Sequence, residues 1–475
     1  MKNIIFKTGI FLISGIALLF SSCDDFLSTI PKGEKIPTTW TDYNAFIKNT
    51  NYHYNDPSQI LVLMNDIYKS PSNLNSDPLT KINYMWDESG DRTIVNEADK
   101  FAYSFSYEAI FHWNLIIQDG PKLTECTEAQ RNMLVAQAKV LRCMNFFHVV
   151  NYYAGQYTPE NAATTRSIPL VTSPDINSSS PQVTLSVLFQ FIVDDLLSAV
   201  TYLPEKGETV YHPTQACGYG MLARVYLAMS DYTNALKYAR MALNINDQLY
   251  DWKTYYKQNQ AKYDDPENFD SNYPAVSFEN PENYIFRYAS SQSQAYGIYG
   301  KTYGITLNRA ALFEKGDLRL TTRWKVRTFS TGERLYTGIR GDRFNGGGMS
   351  SPEMYHIKAE CLARQGKIKD AMDTLNILRK TRILEDNYKP LTANTTEEAV
   401  RYIIQDKANE FLQTCIPFWD LRRLNKDSKY VRTLTKTEDG ETYTLKPGSH
   451  LWIMPFAISI TGNPGNNPIE QNTPR

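Results

Sequence analysis

The chain has 475 residues, 42% of them hydrophobic and 21% charged, which is ample material for a core and excludes a disordered polypeptide. Lys+Arg 50 against Asp+Glu 51 leaves a net charge of -1, so there is no global positive field and no case for a nucleic-acid partner. After residue 20 no apolar run approaches the roughly 20 residues needed to span a bilayer, which excludes a polytopic membrane protein.

The first element is an address. Lys2 and Lys7 precede an apolar stretch over residues 10–20, and Ser21, Ser22 and Cys23 follow. The layout is that of a secretory signal, too short for a stable span. A cysteine directly after the small pair resembles the lipobox of bacterial lipoproteins, with Phe20 where Leu is usual. Residues 1–22 are therefore expected to be a lipoprotein signal peptide and Cys23 the lipidation site. Asp24 and Asp25 resemble the surface-export signal of Bacteroidota lipoproteins. Residues 23–40 read as a tether, and 41–475 as a single domain. The five remaining cysteines, Cys126, Cys143, Cys217, Cys361 and Cys415, are odd in number and widely spaced. They are expected to be buried thiols, neither a disulfide framework nor a zinc site.

Further along, Met133, Leu134, Ala136, Ala138, Val140, Leu141 and Phe147 recur at helical spacing and predict a helix between Glu125 and Tyr153. Five Gly and Pro residues over 154–182 mark a loop, and a second helix is expected over 185–202, stopped by Pro204. Tyr219, Leu222, Ala223, Tyr226, Ala235, Ala239 and Ala242 alternate large and small as in a tetratricopeptide repeat, the alanines letting two antiparallel helices approach closely. A weaker copy runs through Tyr355, Ala359, Leu362, Ala371, Leu375 and Leu378. A third helix is expected over 397–424, and the tail from His450 is expected to drape over the surface. The fold class is thus mainly α, a tetratricopeptide-like helical-pair scaffold. Large loop-rich insertions are expected at about 50–115 and 246–350, both rich in Tyr and Asn. Trp113, Trp252 and Trp419 sit near helical patterns and read as core.

Several blocks together resemble the SusD/RagB family of outer-membrane nutrient-binding lipoproteins. They are Cys23 to Leu27, Ala223 to Leu227 with Asp231-Tyr232, Asp406-Lys407 with Glu410-Phe411, Phe418-Trp419-Asp420-Leu421-Arg422-Arg423, and Ile453-Met454-Pro455. Asp406-Lys407 stands where the family usually has Glu-Arg. The resemblance implies a SusD-like fold and a lipid-anchored place on the outer surface of the outer membrane. It also implies a SusC-like TonB-dependent transporter as partner, to which captured oligosaccharide is delivered. A peptide ligand, or a transporter-associated scaffold without direct ligand binding, is the alternative. The Asp420–Arg423 block reads as a salt-bridged helix end.

Sugar faces suit flat rings and sugar hydroxyls suit Asn, Gln, Asp and Arg. The expected ligand contacts are therefore Asn65, Asp66, Tyr68, Tyr84 and Trp86 on one insertion, and Gln294, Tyr296, Tyr299 and Tyr303 on the other. No cofactor is expected and no metal site is assigned: the Asp-rich stretch with Asp264, Asp265 and Asp270 leaves calcium open, but its spacing does not match an EF-hand, and none of the six histidines forms an HExxH pair. With no GxSxG or P-loop, and Gly346-Gly347-Gly348 read as a flexible turn, the chain is expected not to be an enzyme.

Overall fold

The computed structural model describes residues 37–53, 58–64, 68–69, 74–75, 77–95, 101–264, 277–287, 303–328, 332, 334–338, 345–438, 440–463 and 467–473. The signal segment and Cys23 lie outside the described residues.

The longer helices are α1 (Trp40–Lys48), α2 (Pro78–Met85), α3 (Phe101–Asp119), α4 (Glu128–Tyr153), α5 (Leu185–Ala199), α6 (Gln215–Ala228) and α7 (Tyr232–Ile245). They continue with α8 (Trp252–Asp264), α9 (Leu318–Arg323), α10 (Ser351–Arg364), α11 (Ile368–Arg382), α12 (Thr396–Glu410) and α13 (Ile416–Leu424). Helix α4 starts where the Thr127 hydroxyl accepts from Gln130 N while Gln130 reaches back to the Thr127 N–H, a reciprocal cap of two orphan donors. Thr184, Thr214 and Asp231 cap α5, α6 and α7 in the simpler one-way manner.

The alanine pattern does what close helix packing requires. Ala223 of α6 and Ala235, Ala239 and Ala242 of α7 are fully buried, as are Ala359 and Ala371 in the second pair. Helix α7 packs directly on α10, and α12 on α10, so the two repeats stack although a long insertion separates them in sequence. Helix α5 with the turn after it is apolar enough to cross a membrane, yet Leu188, Ile192 and Leu196 are buried in the protein core and Asp195 pairs with Arg142 of α4 at 2.6 Å.

Strands are short and paired in twos, all antiparallel: β1 (Tyr68–Lys69) with β5 (Tyr303–Gly304), β2 (Arg166–Pro169) with β3 (Gln182–Thr184), β4 (Asn283–Ile285) with β8 (Met349–Ser350), β6 (Trp324–Thr328) with β7 (Arg334–Gly338), and β9 (Leu434–Glu438) with β10 (Glu441–Leu445).

The structure corrects several expectations. Residues 101–119 are a helix rather than loop, because Ala109, Ile110, Trp113 and Ile116 form a buried stripe against α4. The expected helix over 397–424 is two: α12 ends at Glu410, Gln413 adopts a left-handed φ of 70°, and Pro417 opens the first turn of α13. The tail is core: Leu451, Trp452, Met454, Phe456 and Ile460 are buried, and the buried Arg92 guanidinium binds the carbonyls of His450, Leu451 and Ile453. The loop over 154–182 contains β2 and the start of β3. Gly348 is a close approach rather than a flexible turn, since a Cβ there would lie 2.2 Å from the Ile285 carbonyl oxygen.

Trp113 and Trp252 are fully buried, and Trp419 is half-buried against the core. Cys143, Cys217, Cys361 and Cys415 are buried and Cys126 is half-buried, all as free thiols.

Candidate functional site

The two insertions meet. Strand β1 from the first pairs with β5 from the second, Tyr68 opposite Gly304 and Lys69 opposite Tyr303. Close to this junction the end of α2, the segment 306–312 and the hairpin β9–β10 enclose a polar cleft of about 450 Å³. Its wall is formed by Tyr84, Thr306, Asn308, Arg309, Leu312, Thr435, Lys436, Thr437, Glu438 and Thr442.

Each part is placed by local rules. Asp77 caps α2 by accepting from Thr80 N, and Pro78 fits its first turn. The helix ends at Trp86 in the left-handed region, with φ 55°, which turns the indole back into the core to donate to the Leu63 carbonyl at 3.0 Å. Thr306 caps the short turn of helix Leu307–Ala310 that carries Asn308 and Arg309. In β9, Lys436 and Glu438 are two residues apart and so share one face of the strand. Both meet Tyr84: its hydroxyl donates to Glu438 Oε1 at 2.7 Å, while the Lys436 ammonium lies 3.5 Å from the Tyr84 ring centroid and 4.5 Å from that of Trp86. The ammonium also donates to the Tyr84 carbonyl. Burial pulls the Lys436 amine down to about 7, only partly countered by Glu438. Arg309 is held by Asn409 Oδ1 at 2.8 Å and the Ala408 carbonyl at 3.1 Å.

The cleft is a hydrogen-bonding surface: threonine hydroxyls, an amide, two cationic heads and one carboxylate. It offers no second carboxylate across from Glu438 among its described residues, and no histidine or cysteine.

Of the residues expected to contact ligand, Trp86 is 5% exposed and belongs to the core, so its ring is no stacking platform. The reason is the left-handed turn at its own backbone. Tyr84 is equally buried, and it takes part as wall, buttressing Lys436 and Glu438. Tyr68 and Tyr303 lie on the paired strands that join the insertions. Asn65, Asp66, Gln294, Tyr296 and Tyr299 lie outside the described residues. The hairpin residues Thr435 to Glu438 were missed; their alternation of Thr with charged residues was the available signal.

Also missed was a second cleft of about 290 Å³, walled by Tyr103, Tyr107 and Phe111 of α3, the loop 173–180 and Ile469. Its signal was the aromatic spacing of four, which puts three rings on one helix face. Among the described residues no group of three or more His, Cys, Asp or Glu is placed to hold a metal.

Comparison with known proteins agrees with this architecture. Residues 25–227 match a SusD-like family described as "Starch-binding associating with outer membrane". No curated protein matches. Among solved structures, a SusD superfamily protein from Bacteroides vulgatus ATCC 8482 superposes with a TM-score of 0.69 at 17% identity, over 92% of this chain and 100% of that one. A SusD superfamily protein from Bacteroides thetaiotaomicron VPI-5482 gives the same values. A SusD-like carbohydrate binding protein from Bacteroides vulgatus ATCC 8482 gives 0.68 at 16% identity, over 92% and 99%. At such identities the likeness is one of fold. The chain therefore has the SusD fold throughout its matched length, and its residues 25–227 carry the sequence pattern of the SusD-like family.

Proposed function

We propose that this protein binds carbohydrate at the outer-membrane surface, anchored through lipid on Cys23, and passes oligosaccharide to a SusC-like TonB-dependent transporter. The observation that carries the reading is the polar cleft of about 450 Å³ at the junction of the two insertions, whose hydroxyl, amide and charged groups match the donor and acceptor pattern of a sugar chain. The description of the matching family, starch-binding and associated with the outer membrane, supports the same ligand class and location. In this reading Asn65, Asp66, Tyr68, Gln294, Tyr296, Tyr299 and Tyr303 contribute further contacts from the insertions, while the aromatic rings of Tyr84 and Trp86 support the cleft from beneath.

The test is affinity electrophoresis against a polysaccharide panel that includes starch, followed by calorimetry with the retained ligand. Asn308→Ala and Thr437→Ala are each expected to weaken binding about five- to tenfold, the loss of one or two hydrogen bonds to ligand. Retention of no polysaccharide, or unchanged affinity in both variants, would overturn the reading. Labelling of the protein by a fatty-acid analogue, abolished in Cys23→Ala, tests the anchor.

A further inference from the structure

We infer that the cleft at Lys436 is built for an anionic sugar chain, one bearing carboxylate or sulfate groups, with the Lys436 ammonium supplying the counter-charge. This rests on the carbohydrate reading above and narrows it.

Lys436 is a half-buried cation whose nearest companions are two aromatic faces and a backbone carbonyl. Among the described residues no carboxylate lies within ion-pair distance of it. The nearby acid, Glu438, accepts from the Tyr84 hydroxyl and offsets the burial of the ammonium only in part. Ring faces compensate an ammonium only partly, and a desolvated amine without a counter-ion is costly. A site for neutral sugars has no use for that cost, because the threonines and Asn308 already supply its hydrogen bonds. An incoming anion repays it with charge-assisted bonds, roughly twice as strong as neutral ones.

The surroundings point the same way. A second cleft of about 150 Å³ adjoins the first, sharing Arg309 and Leu312 and adding Arg432. The acid in that wall, Asp420, is already neutralised by Lys407 at 2.8 Å and Arg423 at 3.0 Å. Arg309 is common to both walls, with Lys436 in the first and Arg432 in the second.

The titratable and charged groups facing Lys436 are Glu438 on its own strand, Tyr443 directly across on β10, Tyr84 from α2 and Arg309 from the opposite wall. With its amine brought down to about 7, Lys436 is largely neutral in the free protein at pH 8. An anion bound beside it restores the proton.

The experiment is titration calorimetry of the full chain in detergent with tetragalacturonate, a chondroitin sulfate tetrasaccharide and maltotetraose. At pH 6 at least one acidic probe is expected to bind tenfold or more tighter than maltotetraose, and which of the two does so identifies the charged group. That affinity should fall as the pH rises from 6 to 9. At pH 8 binding should take up a proton, read from the dependence of heat on buffer ionisation. Lys436→Met, which keeps the stem, should lose about tenfold or more for the acidic probe and abolish the proton uptake. Glu438→Gln, whose amide oxygen still accepts from Tyr84, should tighten acidic binding and so tests the charge even if the lysine variant misfolds. Equal or tighter binding of maltotetraose would overturn the inference and leave the carbohydrate reading standing. Binding of none of the probes or of the polysaccharide panel would overturn both.

Discussion

Arg319 and Asp406 lie 2.9 Å apart in the interior, and through that contact the second insertion is fixed to the helical scaffold. Arg319 belongs to α9 of the insertion and Asp406 to α12 of the repeat stack. The same guanidinium reaches Asp317 at 2.7 Å and Glu410 at 3.2 Å, and Glu410 in turn receives Arg382 of α11 at 3.0 Å. Asp406 also meets His356 of α10 at 2.8 Å. Asp406 and Glu410 are one helical turn apart, so both face the insertion together. This explains a block that in sequence was only a family mark.

A buried pair is worth little against a well-packed apolar substitute, but removing one partner strands the other. Asp406→Asn and Arg319→Met are each expected to cost about 3–5 kcal/mol in urea denaturation. Lys369→Ala, which removes an exposed ion pair with Asp373, should leave the denaturation midpoint nearly unchanged. A similar small cost in all three would show that the network is not what holds the insertion.

The network also sets acid sensitivity. Burial alone would raise the carboxyls of Asp406, Glu410 and Glu360. Arg319 outweighs it for Asp406, and Arg382 with Arg323 for Glu410, so both lie far below the usual range. Arg423 and Arg364 bring Glu360 to about 2. A carboxyl depressed in the folded state stabilises fully above its unfolded value near 4 and loses that contribution as pH falls. Asp317, held up by burial against the pull of Arg319, acts in the opposite sense. Three depressed groups against one raised group predict a melting temperature that drops steeply between about pH 4 and pH 2. A flat profile over that range, followed by circular dichroism, would refute the assignment.

Trp86 gives a prediction that separates core from surface. Its indole is buried in the main apolar cluster and donates to the Leu63 carbonyl. Trp86→Ala should destabilise the fold by about 3–5 kcal/mol. A soluble, fully stable variant that had lost only ligand affinity would return the ring to the binding surface.

The scaffold was legible because its signal is local. Alanines at Ala223, Ala235, Ala359 and Ala371 can serve only a close helix contact, and the caps at Thr127 and Asp231 sit beside the patterns they terminate. The break at Gln413 left one local mark, Pro417, which cannot continue a helix, but the apolar residues on both sides of it read as one unbroken pattern. The buried tail was misread for a related reason: Pro, Asn and Gly describe an irregular backbone, and irregular backbone is usually exposed. Here Arg92, more than 350 positions away in the chain, satisfies three of its carbonyls. The cleft was half legible. Tyr84 lay in the right insertion, but the pairing of Lys436 and Glu438 around it joins residues from opposite ends of the sequence.

Thiol reactivity should follow burial. Burial pushes the Cys217 thiol up to about 12 and raises those of Cys143 and Cys361 well beyond the usual range. Of the five described cysteines, Cys126 alone is half-exposed. With a chromogenic disulfide at pH 8, Cys126 should react first and the other four only on denaturation. Rapid native labelling at Cys217 would contradict the packing of α6.

The two repeats make their turns with different residues in the same backbone state. Ser230, between α6 and α7, has φ 62°, and Gly366, between α10 and α11, has φ 76°. Both follow the last helical residue by two positions, where the chain must reverse. Glycine takes this conformation freely, whereas an L side chain is strained there. Ser230 is exposed, so its replacement forfeits no packing, and nothing lies within 4 Å of a Cβ at Gly366, so only backbone strain would follow. Ser230→Gly is therefore expected to stabilise by about 0.5 kcal/mol, strain relief exceeding the entropy gained by the unfolded chain. Gly366→Ala should destabilise by about 1–2 kcal/mol. Opposite signs in chemical denaturation would establish that the turns are equivalent; a loss in both variants would mean that the Ser230 side chain, not its backbone, sets the first turn.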